Sequence, residues 1–234
     1  MTSGPSLDGA LRDRQVLVTG GTGFVGGRLV EKLVLEEGVK VRVLIRSYGT
    51  VARIARLPIE MVEGDITDAD AVQRAVDGCE IVFHCAYGNS GSPDQRRQVN
   101  VCGTENAMRA ALRAGTRRVV HLSTLRVYGD TDHGDLDETA PYRYSGNLYS
   151  DTKLDAENLI QSLIREHGLP ATILQPTHIY GPYGPRFSVR VLEHLKTDRL
   201  ILVNGGTGIC NVVYIDDVVD AILLGATVDA AVGE

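Results

Sequence analysis

The sequence of 234 residues has no apolar run long enough to cross a bilayer, which takes about 20 consecutive apolar residues. Its first stretch, Met1–Asp13, is polar and lacks the apolar core of a signal peptide, so it reads as a frayed leader. Cysteine is sparse: Cys79, Cys85, Cys102 and Cys210 are scattered. That spacing supplies no disulfide framework and fits thiols acting as small apolar fillers in a reducing compartment. A cytoplasmic chain with no membrane partner is expected. Basic blocks are missing as well. Arg96-Arg97 and Arg117-Arg118 are isolated pairs and the net charge is -6, which argues against a nucleic-acid partner. The histidines His84, His121, His133, His167, His178 and His194 show no ligand spacing. His84 and Cys85 are neighbours on a strand and point to opposite faces, so no metal site is expected. No internal repeat or low-complexity tract is visible.

What is present suits a globular domain. Hydrophobic residues at 43% and charged residues at 23% are enough for one sizeable core, with room for a small second lobe. Short apolar runs recur at Val16–Val18, Val41–Ile45, Glu60–Val62, Ile81–Cys85, Arg118–Ser123, Ala171–Leu174 and Val212–Ile215. Between them lie helical patterns over Gly26–Leu35, Ala69–Val76, Val99–Ala114 and Asp151–Glu166. Gly115 ends one helix, and Gly168 with Pro170 ends another. Buried strands alternating with helices predict an α/β fold, a doubly wound parallel sheet of the Rossmann-like kind covered on both faces. Three irregular segments, Ala86–Gln98, Gly129–Leu148 and Thr177–Arg186, each follow a strand. In such a sheet ligands bind beyond the carboxyl ends of the strands, where these loops should gather.

The run Thr19-Gly20-Gly21-Thr22-Gly23-Phe24-Val25-Gly26 joins the first strand to the first helix. Gly20, Gly23 and Gly26 alone would also suit a plain tight turn. Their placement between strand and helix selects a seat for a dinucleotide pyrophosphate, with free N–H groups and a positive dipole end at the helix start. Arg46 ends the second strand, about 20 residues further on, where an acidic residue would bind the ribose of NAD. A guanidinium there suits the 2′-phosphate of NADP. An exposed arginine stacked on adenine is the alternative, and NAD stays open as cofactor. Tyr149 and Lys153 stand four residues apart on a helix and share a face. A neighbouring ammonium favours the phenolate and would fit Tyr149 for acid/base work. Thr124, just past the strand Arg118–Ser123, places a hydroxyl where it can bond a substrate oxygen. Taken singly, the pair also reads as a surface pair and Thr124 as a turn residue.

Together these stretches resemble the extended short-chain dehydrogenase/reductase family, the group of nucleotide-sugar epimerases and dehydratases. The motifs are Thr19–Gly26, Gly64-Asp65-Ile66, Val82–Ala86, Val99–Val101, Ser123–Gly129, Tyr149–Lys153, Pro176–Pro182 and Val213–Val218. They run in family order over almost the whole length. The resemblance implies Tyr149 as acid/base, Lys153 as its pKa-lowering partner and holder of the nicotinamide ribose, and Thr124 as the substrate-orienting hydroxyl. It places Gly20, Gly23, Phe24, Val25 and Gly26 under the pyrophosphate, Asp65 and Ile66 beside the adenine, and Cys85 and Ala86 along the cleft. Asn100 would support the active-site helix or a water at the cofactor. Pro176, His178 and Ile179 would pass near the nicotinamide. A homodimer paired through the helices carrying Asn100 and Tyr149 is also implied. The expected organisation is a leader over 1–13, an NAD(P)-binding domain over 14–175, the start of a substrate lobe over 176–208, and a return to the first domain over 209–234. Members of this family are longer chains, so the substrate lobe is expected to be incomplete in this sequence.

Three departures bear on the substrate. Leu125 and Arg126 stand where dehydratases carry an acidic pair, which argues against dehydration. Gly208-Ile209-Cys210-Asn211 lacks the arginine that contacts the diphosphate in sugar-nucleotide enzymes, although other arginines, such as Arg186 or Arg190, could serve. His178 replaces an asparagine. The expected activity is hydride transfer on a small molecule, a nucleotide sugar among the options, by a ketoreductase or sugar epimerase. The competing reading is a non-catalytic NADP-binding sensor or scaffold, which has no need of Tyr149, Lys153 and Thr124 together.

Overall fold

A computed structural model describes residues 9–129 and 136–234. In chain order the elements are β1 (Gln15–Thr19), α1 (Phe24–Leu35), β2 (Lys40–Ile45), β3 (Glu60–Glu63), α2 (Ala69–Val76), β4 (Ile81–His84), α3 (Pro93–Arg97) and α4 (Gly103–Ala114). They continue with β5 (Arg118–Leu122), α5 (Leu148–His167), β6 (Ala171–Leu174), β7 (His178–Tyr180), α6 (Arg190–Lys196), β8 (Val212–Tyr214) and α7 (Ile215–Thr227). Six strands form one sheet in the order β3-β2-β1-β4-β5-β6, with every neighbouring pair parallel. The order reverses between β1 and β4, which opens the crevice where doubly wound sheets take nucleotides.

Strand alternation splits the core into two layers. Val16, Val18, Val43, Ile81, Phe83 and Val120 face one layer with α1 and α7. Leu17, Leu44, Val82 and Val119 face the other with α2, α4 and α5. Phe83 is fully buried, and such burial is worth about 1.5–3 kcal/mol. Helix α7 closes the first layer through Val219, Ile222 and Leu223. Two ion pairs, Arg28–Asp216 at 2.6 Å and Lys32–Asp220, tie it to α1. Both are partly exposed, so each adds less than about 1 kcal/mol and serves alignment more than stability.

The parallel, doubly wound sheet agrees with the sequence expectation, while several details differ. The run Val212–Ile215 does not join the main sheet. Its strand, β8, pairs in parallel with β7 in a separate two-stranded sheet, because Val212 is exposed and the strand is only half covered. β7 itself lies inside Thr177–Arg186, expected to be irregular. Ala86–Gln98 likewise contains α3, started by a capping box of Ser92 and Gln95 with Pro93 in its first turn. A π-helical turn over Gln98–Cys102 links α3 to α4. The expected leader is packed in its described part: Leu11 is 2% exposed and lies in the α1/α7 layer, and Asp13 N donates to Gly38 O at 3.3 Å. A lone apolar residue among polar ones has no periodicity to reveal it. Residues 1–8, and 130–135 with His133, lie outside the described residues. Among the described residues no helix is long and apolar enough to cross a membrane, and no group of three or more His, Cys, Asp or Glu could hold a metal ion.

Candidate active site

The turn from β1 into α1 is shaped by close backbone contact. Gly20 has φ 71°, and a Cβ there would lie 2.6 Å from Cys85 O and 2.7 Å from Ala86 N. Only glycine lets the end of β1 press against the exit of β4. A Cβ on Gly26 would lie 2.3 Å from Gly20 O, so α1 also starts directly against the turn. Gly23 N donates to Gly20 O at 2.9 Å. Gly23 is the N-cap of α1 and offers its first turn no side-chain acceptor. The helix start, which Phe24 and Val25 open, therefore keeps N–H groups for an external anion. Cys85 N donates to Thr19 O at 3.1 Å, continuing the β1–β4 pairing. Burial pushes the Cys85 thiol up to about 12, against the pull of Lys153. Gly20, Gly23, Phe24, Val25, Gly26, Cys85 and Ala86 thus converge on the switch-point crevice. This backbone cradle, which any side chain at Gly20 would fill, fits a dinucleotide pyrophosphate.

Arg46 is exposed at the end of β2, and its charge acts on Asp65 after β3. The Asp65 carboxylate accepts from Thr67 N at 2.8 Å and from the Thr67 hydroxyl at 2.7 Å. Partial desolvation pushes its pKa up, but the Thr67 bonds and Arg46 outweigh this and hold it below the ordinary value. Ile66 turns inward: it is 6% exposed and packs in the α4 layer, while its carbonyl accepts from Asn106 at 3.0 Å. Its side chain is core, which leaves its backbone for any ligand contact.

Tyr149 sits in the first turn of α5, where Asn147 caps the helix by accepting from Tyr149 N at 3.0 Å and Ser150 N at 3.4 Å. Such a cap is worth about 1 kcal/mol. Arg126 N donates to Thr124 Oγ1 at 3.3 Å, and the Thr124 hydroxyl lies where it favours the ionised form of the Tyr149 phenol. Tyr87 packs edge-on against Tyr149, with ring centroids 5.1 Å apart. One turn along α5, the buried Lys153 donates to Leu122 O at 2.7 Å, and its Nζ lies 5.7 Å from the Tyr87 ring centroid. The structure therefore brings Thr124, Tyr149 and Lys153 together. The expected electrostatics do not follow. Burial raises the Tyr149 phenol above its ordinary pKa, opposed by the Thr124 hydroxyl and by the Arg186 and Arg126 guanidiniums, and raised further by Tyr87. The lysine is itself shifted down to about 8, because burial outweighs Cys85 and Glu157. Helical spacing fixes which side chains share a face but not how deeply water is excluded from them.

Asn100 is a brace. Its Oδ1 accepts from Gly88 N at 2.7 Å, and its Nδ2 donates to Gly88 O and to Thr152 Oγ1, each at 3.2 Å. It fastens the loop after β4 to α5. Pro176 O accepts from Leu125 N at 3.1 Å, which holds the end of β6 beside the Thr124 turn. His178 and Ile179 belong to β7. The His178 ring meets Phe187 edge-on at 4.5 Å, and Ile179 packs against the α1/α7 layer. Among the described residues no side-chain hydrogen bond or ring contact joins either one to Tyr149, Lys153 or Thr124.

The model of the NAD dependent epimerase/dehydratase family matches residues 16–233. The chain belongs to that family. A 3 beta-hydroxysteroid dehydrogenase/Delta 5-->4-isomerase from Mycobacterium tuberculosis is 35% identical over 224 residues, covering 91% of this chain and 60% of that protein. A dTDP-glucose 4,6-dehydratase from the same organism is 33% identical over 219 residues, covering 87% of this chain and 66% of that protein. This chain therefore spans about 60% and 66% of the lengths of these two relatives. A solved dTDP-glucose 4,6-dehydratase from Streptomyces venezuelae, determined with NAD bound, superposes with a TM-score of 0.80 at 27% identity, over 90% of this chain and 71% of that one.

Within this family frame, the structure adds residues that sequence reasoning missed. Arg53 grips Glu31 through two bonds of 2.7 and 2.8 Å, donates to Phe24 O at 3.0 Å, and stacks at 4.8 Å on Tyr183. It thereby latches the loop after β7 to the start of α1. Arg53 lies in no periodic element, so nothing local marks it. His84 and His121 stack at 5.2 Å inside the sheet. Thr104 donates to Asn100 O at 2.7 Å, so its oxygen accepts from His84 Nε2 at 2.9 Å, and His84 Nδ1 accepts from Thr19 at 2.8 Å. Burial, aided by Lys153, keeps both rings neutral, with His84 near about 3 and His121 well below its ordinary value.

Proposed function

We propose that this chain binds NADP(H), or NAD(H) less tightly, and moves a hydride between the nicotinamide and a carbinol or carbonyl carbon, as a ketoreductase or sugar epimerase. What supports the reading is the grouping of Tyr149 and the buried Lys153, one turn apart on α5 and both against the Tyr87 ring, with Thr124 just past the end of β5. The Tyr149 phenol, which burial favours in its protonated form, would work beside the buried Lys153 ammonium one helical turn away. When bound, the cofactor supplies or takes the hydride. Tyr149 supplies or takes the matching proton at the substrate oxygen.

Burial keeps the phenol protonated at rest, so Tyr149 is set to donate when a carbonyl is reduced. In the opposite direction Thr124, Arg126 and Arg186 favour the phenolate that must form. Lys153, with a pKa of about 8, is mostly charged at neutral pH and can hold a ribose hydroxyl. Thr124 orients the substrate oxygen. Arg46 would meet the 2′-phosphate, and Asp65 and the Ile66 backbone the adenosine. Release of the product after one transfer gives a reductase or dehydrogenase. Return of hydrogen to the opposite face gives an epimerase. Dehydration is not proposed, since Leu125 can act as neither acid nor base. A homodimer through α4 and α5 completes the reading.

The test follows NADPH absorbance and product stereochemistry over a panel of keto compounds and nucleotide sugars. With any substrate turned over, Tyr149→Phe should lose about 10²–10⁴-fold in rate. Unchanged turnover would sink the acid/base role and favour the sensor reading.

A further inference from the structure

Two turns beyond Tyr149 and one beyond Lys153, on the same face of α5, lies Glu157. Its residue is 0% exposed. Three groups converge on the carboxyl: the Ser123 hydroxyl donates to Oε2, and the Tyr142 hydroxyl and the Gln175 amide donate to Oε1. Tyr128 donates to Gln175 Oε1 at 2.7 Å, which turns the Gln175 amide nitrogen toward Glu157. Three donors and no acceptor are what an ionised carboxylate requires. Tyr142 answers accordingly, its phenol driven up by burial and by the hydrogen bond to Glu157.

The donors come from the segments that carry the site. Ser123 adjoins Thr124 at the end of β5, Gln175 adjoins Pro176 at the end of β6, and Tyr142 lies in the segment leading to α5. Lys153 is buried among Cys85, His84, His121 and the Tyr87 ring. Both histidines are neutral, and the Cys85 thiol, near about 12, stays protonated while Lys153 titrates. Glu157 stands one turn from Lys153 on the same buried face of α5 and is the one carboxyl among the groups that act on it.

We propose that Glu157 is a positioning residue of this site: its buried carboxylate fastens the ends of β5 and β6 and the Tyr142 segment to α5, and it is the counter-charge of the Lys153 ammonium. The proposal deepens the reading of Lys153 above and rests on it for its bearing on catalysis.

The chain holds four lysines, Lys32, Lys40, Lys153 and Lys196, so a titration followed by NMR of ¹³Cε-labelled lysine is readily resolved, with Lys153→Arg assigning the signal. Glu157→Gln keeps the Oε1 acceptor for Tyr142 and Gln175, removes the charge, and turns the Ser123 bond round so that the new amide donates to the serine oxygen. It should lower the Lys153 midpoint by about one pH unit, and Glu157→Asp should recover at least half of that shift. A merely structural role would admit water and raise the midpoint toward the ordinary lysine value, the opposite direction. An unmoved or raised midpoint overturns the proposal. The unaltered chain gives a second check, independent of how the variants fold. The ¹³C carboxyl signal of Glu157 should be that of a carboxylate throughout the Lys153 titration, and a protonated carboxyl there also overturns it. A lowered midpoint in a chain that fails to bind NADPH would refute the cofactor reading and leave Glu157 as the counter-charge.

Discussion

Replacing Gly20 with alanine adds one methyl group where the end of β1 meets the exit of β4. The methyl meets Cys85 O at 2.6 Å and Ala86 N at 2.7 Å, and both are backbone atoms that cannot swing aside. The residue also sits at φ 71°, where an L side chain costs about 1–2 kcal/mol. Prying β1 and β4 apart adds about 1–3 kcal/mol, as overpacking does elsewhere. Gly115 separates the two effects. It has φ 65° at the end of α4, and a Cβ there meets nothing within 4 Å, so Gly115→Ala carries the backbone cost alone. At roughly 2–4 °C per kcal/mol for a chain of this size, Gly20→Ala should lower Tm by about 10 °C and Gly115→Ala by about 5 °C. Differential scanning fluorimetry measures both, and nicotinamide fluorescence follows NADPH binding in parallel. Gly20→Ala should lose binding and Gly115→Ala should keep it. Equal Tm losses, or full NADPH affinity in Gly20→Ala, would refute the close approach as the reason for glycine.

Two further outcomes follow from other parts of the molecule. Arg46→Asp should weaken NADPH by about tenfold or more, the worth of a charge-assisted hydrogen bond, and reverse the preference between NADPH and NADH; equal affinities in the unaltered chain would show that Arg46 does not read the phosphate. His84 and His121 are neutral in the fold with depressed pKa values, while the unfolded chain protonates them near the ordinary value of 6.5. The unfolded state then binds more protons below that pH, and stability falls as the medium is acidified, by about 2 kcal/mol per histidine between pH 7 and pH 5. Among the described residues His121 has no hydrogen-bond partner at either ring nitrogen, so His121→Leu should fold and lose only about half of that acid sensitivity in urea titrations. An unchanged acid slope would contradict the neutral buried ring.

The main sheet was legible because its strands are buried on both faces. Val16–Val18 and Ile81–Phe83 are apolar without alternation, as strands covered on both sides must be. Helix ends were legible where a residue type carries the geometry, as at Gly115 and Gly168. The small sheet was not: β7 and β8 have three residues each and are half exposed, too short to show a period. Leu11, Arg53 and Tyr87 act through contacts distant in sequence, which no local pattern records. For the candidate site, helical spacing put Tyr149 and Lys153 on one face of α5, and the strand-end position put Thr124 just past β5. Spacing misjudged their electrostatics, because burial of Tyr149 and Lys153 is a property of the whole packed interior. Glu157 was visible in the sequence as the next residue on the Tyr149–Lys153 stripe, but its three donors come from three other segments.

Hydride transfer with Tyr149 as proton donor is tested most directly with NADPH carrying two deuteriums at C4 of the nicotinamide and a keto substrate identified by the panel above. Mass spectrometry of the product should find deuterium on the former carbonyl carbon in the unaltered protein, and Tyr149→Phe should yield that product at least about a hundredfold more slowly. Reduced product formed without deuterium, or formed equally fast by Tyr149→Phe, would contradict the proposed reduction.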